Sequence, residues 1–427
     1  MKLLHTSDWH LGKRLERRSR DSEFDAVLAE IIEIARRAQP DLIVHSGDLF
    51  DRYSLSPGDL VRAMTSLSAL RSVAPVVVVG GNHDSPHWFD VLNRIFEITA
   101  EPGAHTVTLV HTAADGSGGG RVLDFPTRDQ TQRIRLAALP FIHLNRFMHL
   151  FPGLGTTHDA YVQGLRGLQE ELLAQLREGY SPQRDVLVFA THLYLSGALL
   201  SGSERHLDVN GSYAAAPDDL PPVDYCALGH IHKPQPLTSS RATARYAGSP
   251  LQFDFGECDD AKSVVLIEID PQRPALIDPH LLTAGRRLKR FKGTLEELAS
   301  RAAEYSNTFL DVTITSQNLI PQLSQKVATA VPDADVVHLN EDCAETRITP
   351  LNVSDLPEEE PQLTESFRAY LTEHGTPGRV ADEVLAAFSS LLHHPDGDEP
   401  PPCPAEAGLQ DALAHPWTPD STGSETA

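Results

Sequence analysis

Five apolar runs in this chain each end, on the carboxyl side, in Asp, Asn or His. "KLLHTSDWH" leads to Asp8 and His10, "LIVHSGD" to Asp48, and "VVVVGGNHD" to Asn82, His83 and Asp84. "VLVFATH" ends at His192, and "YCALGHIH" carries His230 and His232. Unbroken apolar runs of this length, bounded by Gly and polar residues, read as strands buried on both faces. Between the first three lie helical patterns. In "EFDAVLAEIIEIARRA", Phe24, Val27, Leu28, Ile31 and Ala35 recur at helical spacing, and Ser22 with Asp25 is expected to cap the helix. Pro57 opens a second helix and Pro86 a third, the latter bearing Trp88, Phe89, Leu92, Ile95 and Phe96. Strand-helix alternation predicts an α/β fold whose sheet is covered by helices.

In layered α/β folds the crevice outside the carboxyl ends of the strands receives ligands. A single Asp or His at a strand end is ordinarily a cap or a turn residue. Five such ends together predict one site. Alternation along an extended chain would put Asp8 and His10 on one face, and His230 and His232 on one face. Two carboxylates (Asp8, Asp48), four imidazoles (His10, His192, His230, His232) and one amide (Asn82) make a thiolate-free donor set too large for one tetrahedral ion. It suits two borderline divalent ions, with Asp48 bridging. Such a pair keeps net positive charge and favours a phosphoester, whose attacking and departing oxygens it can clamp. His83 is the expected proton or hydrogen-bond donor, with Asp84 expected to orient its ring and raise its basicity. Gly80, Gly81, Gly47 and Gly229 are expected to let the backbone turn tightly beneath the site. His5, His45 and His143 lack the strand-end position and read as structural.

Composition bounds the rest. The 427 residues suffice for two or three domains. No run approaches the ~20 apolar residues of a membrane span, and the opening reaches Asp8 before a signal-peptide core could form, so a cytoplasmic location is expected. Cys226, Cys258, Cys343 and Cys403 are scattered and predict neither a disulfide framework nor a thiolate metal site. The net charge of −23 taken alone argues against nucleic acid. Two basic clusters run the other way: "KRLERRSR" at 13–20 (Lys13, Arg14, Arg17, Arg18) and "RRLKRFK" at 286–292 (Arg286, Arg287, Lys289, Arg290).

The chain is expected to divide into a domain at 1–282, a smaller α+β domain at 283–350, a Pro/Glu-rich linker at 351–363, a helical segment at 364–393 and a tail at 394–427. The tail holds many acids and prolines and little apolar content, which predicts disorder. In the helical segment Phe367, Tyr370, Leu371, Val384, Leu385, Phe388 and Leu391 are the apolar positions.

As a set, "DWH", "GDLFD", "GNHD", "TH" and "GHIH" resemble, in full and in order, the motifs of the calcineurin-like metallophosphoesterases. The opening "KLLHTSDWHLGK", the "YAGSPLQFDFGE" at 246–257 and the 283–345 region are similar to the SbcD-type repair nucleases of that family. The resemblance implies an α/β/β/α sandwich with a capping domain and two Mn²⁺ ions. Asp8, His10, Asp48 and His232 would hold one ion. Asp48, Asn82, His192 and His230 would hold the other, with His83 facing the phosphate. It further implies 3′→5′ exonuclease and endonuclease action on DNA ends and hairpins, in DNA repair and recombination, with an SbcC-type coiled-coil ATPase docked on the 364–393 helices. A homodimer is implied through the helices near 57–71 and 86–98, where Trp88, Phe89 and Phe96 suggest a self-complementary patch. The two basic clusters would border the DNA groove. A phosphodiesterase for small substrates such as cyclic nucleotides shares the metal motifs and is the alternative, as is a scaffold that has lost catalysis. An intact donor set weighs against the latter.

Overall fold

The computed structural model describes residues 1–111, 120–151, 153–154, 157–204, 214–239, 241–271, 273–345, 362–373 and 378–392. The expected linker, except for its last two residues, and the expected tail lie outside them, as does Cys403. The chain divides into two compact units, Met1–Arg347 and Ile348–Ala427.

The first unit opens with β1 (Lys2–Thr6), α1 (Asp21–Ala38), β2 (Leu42–His45), α2 (Pro57–Arg71), β3 (Val76–Val79), α3 (Pro86–Ile98) and β4 (Val107–Val110). Then come β5 (Arg121–Pro126), β6 (Arg133–Leu139), α4 (Leu144–Leu150), α5 (His158–Arg177), β7 (Asp185–His192), β8 (Tyr225–Gly229), β9 (Gln235–Leu237), β10 (Thr243–Tyr246), β11 (Ser263–Asp270) and β12 (Arg273–Leu281). Two six-stranded sheets result, ordered β12-β11-β1-β2-β3-β4 and β5-β6-β7-β8-β10-β9. The inner strands β1, β2 and β3 are mutually parallel, as are β6, β7 and β8.

Why the strands are apolar without alternation is visible in the packing. Leu3, Val44, Val77 and Val79 point into a layer between the sheets, where they meet Ile134, Leu136, Val186, Val188 and Ala227. Their neighbours Leu4, Ile43, Val76 and Val78 point the other way, onto Phe24, Ile31, Leu67 and Phe89 of the helices. On the second sheet Phe189, Cys226 and Leu228 likewise face Tyr161, Leu165 and Leu172. Four layers, α/β/β/α, follow, as the resemblance implies. Each fully buried Val or Leu contributes roughly 1.5–3 kcal/mol. A charge at Val77 would be stranded between two sheets.

The first helix begins earlier than expected. Its N-cap is Arg20, with no side-chain cap, and Ser22 lies inside the first turn. The buried Arg20 guanidinium donates to both Glu23 carboxylate oxygens and to the carbonyl of Gln252, so a tertiary anchor rather than a capping box fixes this end. Pro57 behaves as expected, and the hydroxyl of Ser56 accepts from Asp59 N–H in front of it.

Beyond Leu281 come β13 (Leu288–Gly293), α6 (Leu295–Ser300), β14 (Phe309–Ser316), α7 (Leu323–Ala330) and β15 (Asp335–Cys343), with the three strands forming a parallel sheet. The sheet has its own small core of Phe291, Leu298, Leu310, Val312, Ile314 and Val327. A seam of Leu15, Phe255, Leu288 and Phe309 joins it to the larger body.

In the second unit, α8 (Leu363–Glu373) and α9 (Gly378–Leu392) form a hairpin. Phe367 packs on Phe388 with ring centroids 4.3 Å apart, and Leu371 and Leu385 are buried. Tyr370, Val380 and Val384 are exposed.

Candidate metal centre

All seven predicted donors are buried and lie at the carboxyl edge of the parallel strands. His192 is the last residue of β7, and His230 and His232 follow β8; Asp8, His10, Asp48 and Asn82 stand two to four residues past the ends of β1, β2 and β3. The turns that carry them are unusual. Asp8 (φ 50°), His10 (φ 47°), Asp48 (φ 56°) and His230 (φ 100°) all occupy the positive-φ region that residues with a Cβ rarely adopt. The expectation that alternation places Asp8 with His10, and His230 with His232, is therefore corrected. Left-handed turns after the strand ends do it. Strain held at four donors in one cluster marks a functional site.

Glycines let these turns close on each other. A Cβ at Gly81 would overlap the Asp48 carboxylate, and one at Gly229 would overlap the carbonyl of Ser46. The requirement at these two positions is close approach.

The donor atoms converge. Asp48 Oδ2 lies 3.4 Å from His10 Nε2 and 3.3 Å from His192 Nε2, between the two expected ligand groups. The Nε2 atoms of His10 and His232 are 3.1 Å apart, and His230 Nδ1 is 3.2 Å from His192 Nε2. Asp8, His10 and His232 form one triad with metal-holding spacing, and Asp8, Asp48 and His192 another. A third, His10, Asp48 and His83, includes the expected proton donor.

The chemistry of this set fits cations. His192 donates its Nδ1–H to the carbonyl of Ser46 at 2.9 Å, which turns the Nε2 lone-pair position toward Asn82 Oδ1, itself an acceptor, at 2.9 Å. Two acceptors at that distance need a proton or a metal ion between or beside them. His232 turns Nδ1 toward Ser203 Oγ and toward the Glu257 carboxylate, 3.6 Å away, and Nε2 toward the cluster. Burial holds His10 neutral, down to about 3, so its lone pair is available. Burial opposes charge on His192 as well, but the adjacent Asp48 outweighs it and pushes the ring up to about 9. Burial raises Asp8 to about 6. Against the same burial penalty, His192 and His83 hold Asp48 well below the usual carboxylate range.

His83 stands over this cluster, its ring edge-on to His10 at 4.6 Å and its Nε2 4.0 Å from Asp48 Oδ2. The expected pairing with Asp84 is corrected. His83 donates Nδ1–H to the carbonyl of Asp51 at 2.7 Å. The Asp84 carboxylate instead accepts the backbone N–H groups of Gly81 (2.9 Å), Phe50 (3.0 Å) and Leu49 (3.2 Å). It ties the loop after β2 to the loop after β3, and so positions Asp48 against Asn82. Sequence could not resolve this, because two of the three N–H groups, those of Leu49 and Phe50, come from the loop after β2, more than 30 residues away.

Several supporting residues carried no assigned role in the sequence. Asp51 Oδ1 faces His10 Nδ1 at 3.4 Å and Lys13 Nζ at 3.2 Å. Glu257, behind His232, pairs with the equally buried Lys262 at 2.6 Å, and Lys262 also donates to the carbonyl of His232 at 2.9 Å. Glu204 accepts the backbone N–H of His232 at 3.0 Å. Asp51 and Glu257 lie within "GDLFD" and "YAGSPLQFDFGE", so the motifs held the signal, though not the roles. His5 and His45 are structural, as expected: His5 bonds Tyr225 and Ser46, and His45 accepts the N–H of Gly47.

Most of the second basic cluster faces the chain's own acceptors. Arg286 stacks 3.7 Å from the Phe309 ring centroid and reaches Asp335 at 3.5 Å. Arg287 donates to the carbonyl of Leu282, Lys289 donates to the carbonyl of Glu304, and Arg290 lies 3.6 Å from Asp311. In the first cluster Arg18 donates to Asp335 at 2.8 Å and to the carbonyl of Val336 at 2.7 Å. Arg18 and Arg286 thus tie the smaller domain to the larger one, which corrects the expectation that these two line an open DNA groove, while Arg287 and Arg290 stay exposed. Arg14 bonds the carbonyl of Arg17, and both remain exposed. The apolar patch on α2 and α3 is corrected too: Phe89 and Phe96 are core residues, Trp88 is half-buried, and Val61 and Ile98 are the exposed apolar side chains there.

A family model described as calcineurin-like phosphoesterase matches residues 1–234. A second, described as type 5 capsule protein repressor C-terminal domain, matches 284–374. The SbcD component of the SbcCD nuclease of Bacillus subtilis is 35% identical over 298 residues, covering 68% of this chain and 72% of that protein. Its namesake from Escherichia coli is 27% identical over 347 residues, covering 77% and 81%. That of Rhodobacter capsulatus is 32% identical over 281 residues, covering 63% and 66%.

Proposed function

Because the chain belongs to the calcineurin-like phosphoesterase family, among relatives named as the SbcD component of the SbcCD nuclease, we propose that it is the metal-dependent nuclease subunit of an SbcCD-type complex. The observation that carries the reading is Asp48 Oδ2 lying between His10 and His192, with four further donors, Asp8, Asn82, His230 and His232, around it.

Asp8, His10, Asp48 and His232 would hold one divalent ion, and Asp48, Asn82, His192 and His230 the other; mixed imidazole and carboxylate donors accept Mn²⁺, Fe²⁺ or Zn²⁺, and the family resemblance favours Mn²⁺. When bound, the ions supply charge that polarises the phosphoester and acidifies a water. The chain's own residues do the rest. His83, its Nδ1–H held by the carbonyl of Asp51, turns Nε2 toward the cluster, and as the imidazolium it would donate a hydrogen bond or proton from Nε2 to the departing oxygen, leaving the neutral Nδ1–H ring. Asp84 keeps the two loops in register, and Glu257 keeps the His232 ring turned inward. Lys13, Arg14 and Arg17, with the exposed Arg287 and Arg290 of the second cluster, would meet a DNA backbone.

On this reading the substrates are DNA ends and hairpins, degraded 3′→5′ and opened endonucleolytically. The α8–α9 hairpin offers Tyr370, Val380 and Val384 to an SbcC-type coiled-coil ATPase. A homodimer through α2 and α3 would use Val61, Ile98 and Trp88. No described helix is long and apolar enough to cross a membrane, and the proposed setting is the cytoplasm. The test is degradation of 3′-labelled duplex and hairpin DNA with Mn²⁺ or Mg²⁺, with and without the ATPase. Products from both substrates are expected. Turnover of a cyclic nucleotide with intact DNA would move the chain to the small-substrate phosphodiesterases.

A further inference from the structure

The loop after β2 carries a feature that the metal chemistry does not use. Tyr53 is 47% exposed, yet its hydroxyl is pinned at the edge of the metal centre. It donates to the backbone carbonyl of Asn82 at 2.9 Å and lies 3.1 Å from His143 Nε2. The phenol has one proton, given to the carbonyl, so His143 is the donor in the second bond. Behind this pair stands Phe141. Its ring meets His143 edge-on at 4.8 Å and stacks over the metal-centre residue His230 at 5.9 Å, with 21° between planes. A graded aromatic rim results, buried at Phe141 and open at Tyr53, beside the cluster of donors.

Two features of the rim point to a ligand. The first is chemical. An aromatic residue that is half in solvent has no packing reason to be held by two polar contacts at its tip. Held this way, the ring is fixed at its tip while the residue stays about half exposed, and aromatic side chains so placed stack nucleobases with little sequence preference. The second is positional. Tyr53 lies two residues from Asp51, whose carbonyl orients His83, and touches the backbone of Asn82. A base resting on Tyr53 would belong to a nucleotide next to the phosphate that His83 faces.

We propose that Tyr53, steadied by His143, is a stacking platform for a nucleobase flanking the scissile phosphate, giving the site its preference for nucleic acid over base-free phosphodiesters. This rests on the nuclease reading above.

The test compares oligothymidylate with an equally long chain of abasic spacers, which carries the same phosphates and no bases. Full-length protein loaded with Mn²⁺ is assayed for KM and kcat on both. Stacking of one base supports a KM for oligothymidylate about tenfold lower than for the abasic chain. Tyr53→Leu should collapse that ratio toward one, while Tyr53→Trp should retain it. Tyr53→Phe, which keeps the ring and removes the tether, should give an intermediate ratio, as should His143→Ala. A ratio unchanged in Tyr53→Leu overturns the platform. So does a loss confined to kcat and equal on both substrates, which would reduce Tyr53 to a support for Asn82. Wild-type protein that cleaves both chains with equal KM refutes the platform alone, whereas one that cleaves neither refutes the nuclease reading on which it stands.

Discussion

The Nδ1–H of His83 donates to the backbone carbonyl of Asp51 across 2.7 Å. A carbonyl fixes the ring's tautomer and orientation without adding a charge, so Nε2 is the atom presented to the metal cluster. His83→Ala should therefore retain metal and thermal stability while the rate of DNA cleavage falls roughly 10²–10⁴-fold, the range of a lost general acid. Metal content measured beside single-turnover rates checks this. An unchanged rate would make His83 structural.

Asp84 should behave differently from its neighbour. Its buried carboxylate accepts three backbone N–H groups from two loops. Removing it in Asp84→Ala leaves those donors unpaired, at a cost of about 1–3 kcal/mol. The loops bearing Asp48 and Asn82 lose their tie, so metal affinity should fall as well. Denaturant unfolding and metal titration of Asp84→Ala and His83→Ala, side by side, separate the two roles. Equal stability of both variants would contradict the assignment.

Metal uptake should depend on pH with a definite sign. Protons and metal ions compete for the same donor atoms. Without metal, Asp48 keeps His192 protonated up to about 9, and burial keeps Asp8 protonated up to about 6. Raising the pH removes the competing protons. Apparent Mn²⁺ affinity should accordingly climb from pH 6 to pH 9, and binding at pH 7 should release protons. Calorimetry in buffers of different ionisation enthalpy measures that release; affinity that is flat across this range would contradict it.

The basic residues divide into two groups with separable phenotypes. Arg17 is exposed, four residues past Lys13, which pairs with Asp51, whereas Arg18 is held by Asp335 and the carbonyl of Val336. Arg17→Glu should weaken DNA binding and reduce its salt dependence by about one unit of slope. Arg18→Glu should chiefly lower the melting temperature, because it opposes Asp335 at the domain seam. Salt titrations and thermal scans of the two variants check the division, and the opposite pattern would contradict it.

Much of this was legible in the sequence, for identifiable reasons. Strands such as Val76–Val79, buried on both faces, leave an unbroken apolar run, and the donors follow directly after, so the layers and the seven donors could be read together. What resisted reading depends on contacts distant in sequence. Arg20 displaces the expected Ser22 cap because Gln252, 232 residues away, supplies its partner. Glu257 supports His232 from a segment with no metal-binding pattern. Asp8 and His10 meet through positive-φ turns, a geometry that side-chain alternation cannot predict. The charges at 286–292 read as one DNA surface, yet Arg286 turns into the domain seam because Glu23 and Asp335 lie within reach, while Arg287, Arg290 and Lys292 stay exposed.

The central claim is that Asp48 is shared by two metal ions. Elemental analysis of purified protein, loaded with Mn²⁺ and dialysed, tests it most directly when wild type and Asp48→Asn are compared. The account predicts close to two Mn²⁺ per wild-type chain, and loss of both, to well under one, in Asp48→Asn. A wild-type chain that holds one ion or none, or an Asp48→Asn chain that keeps two, would contradict it.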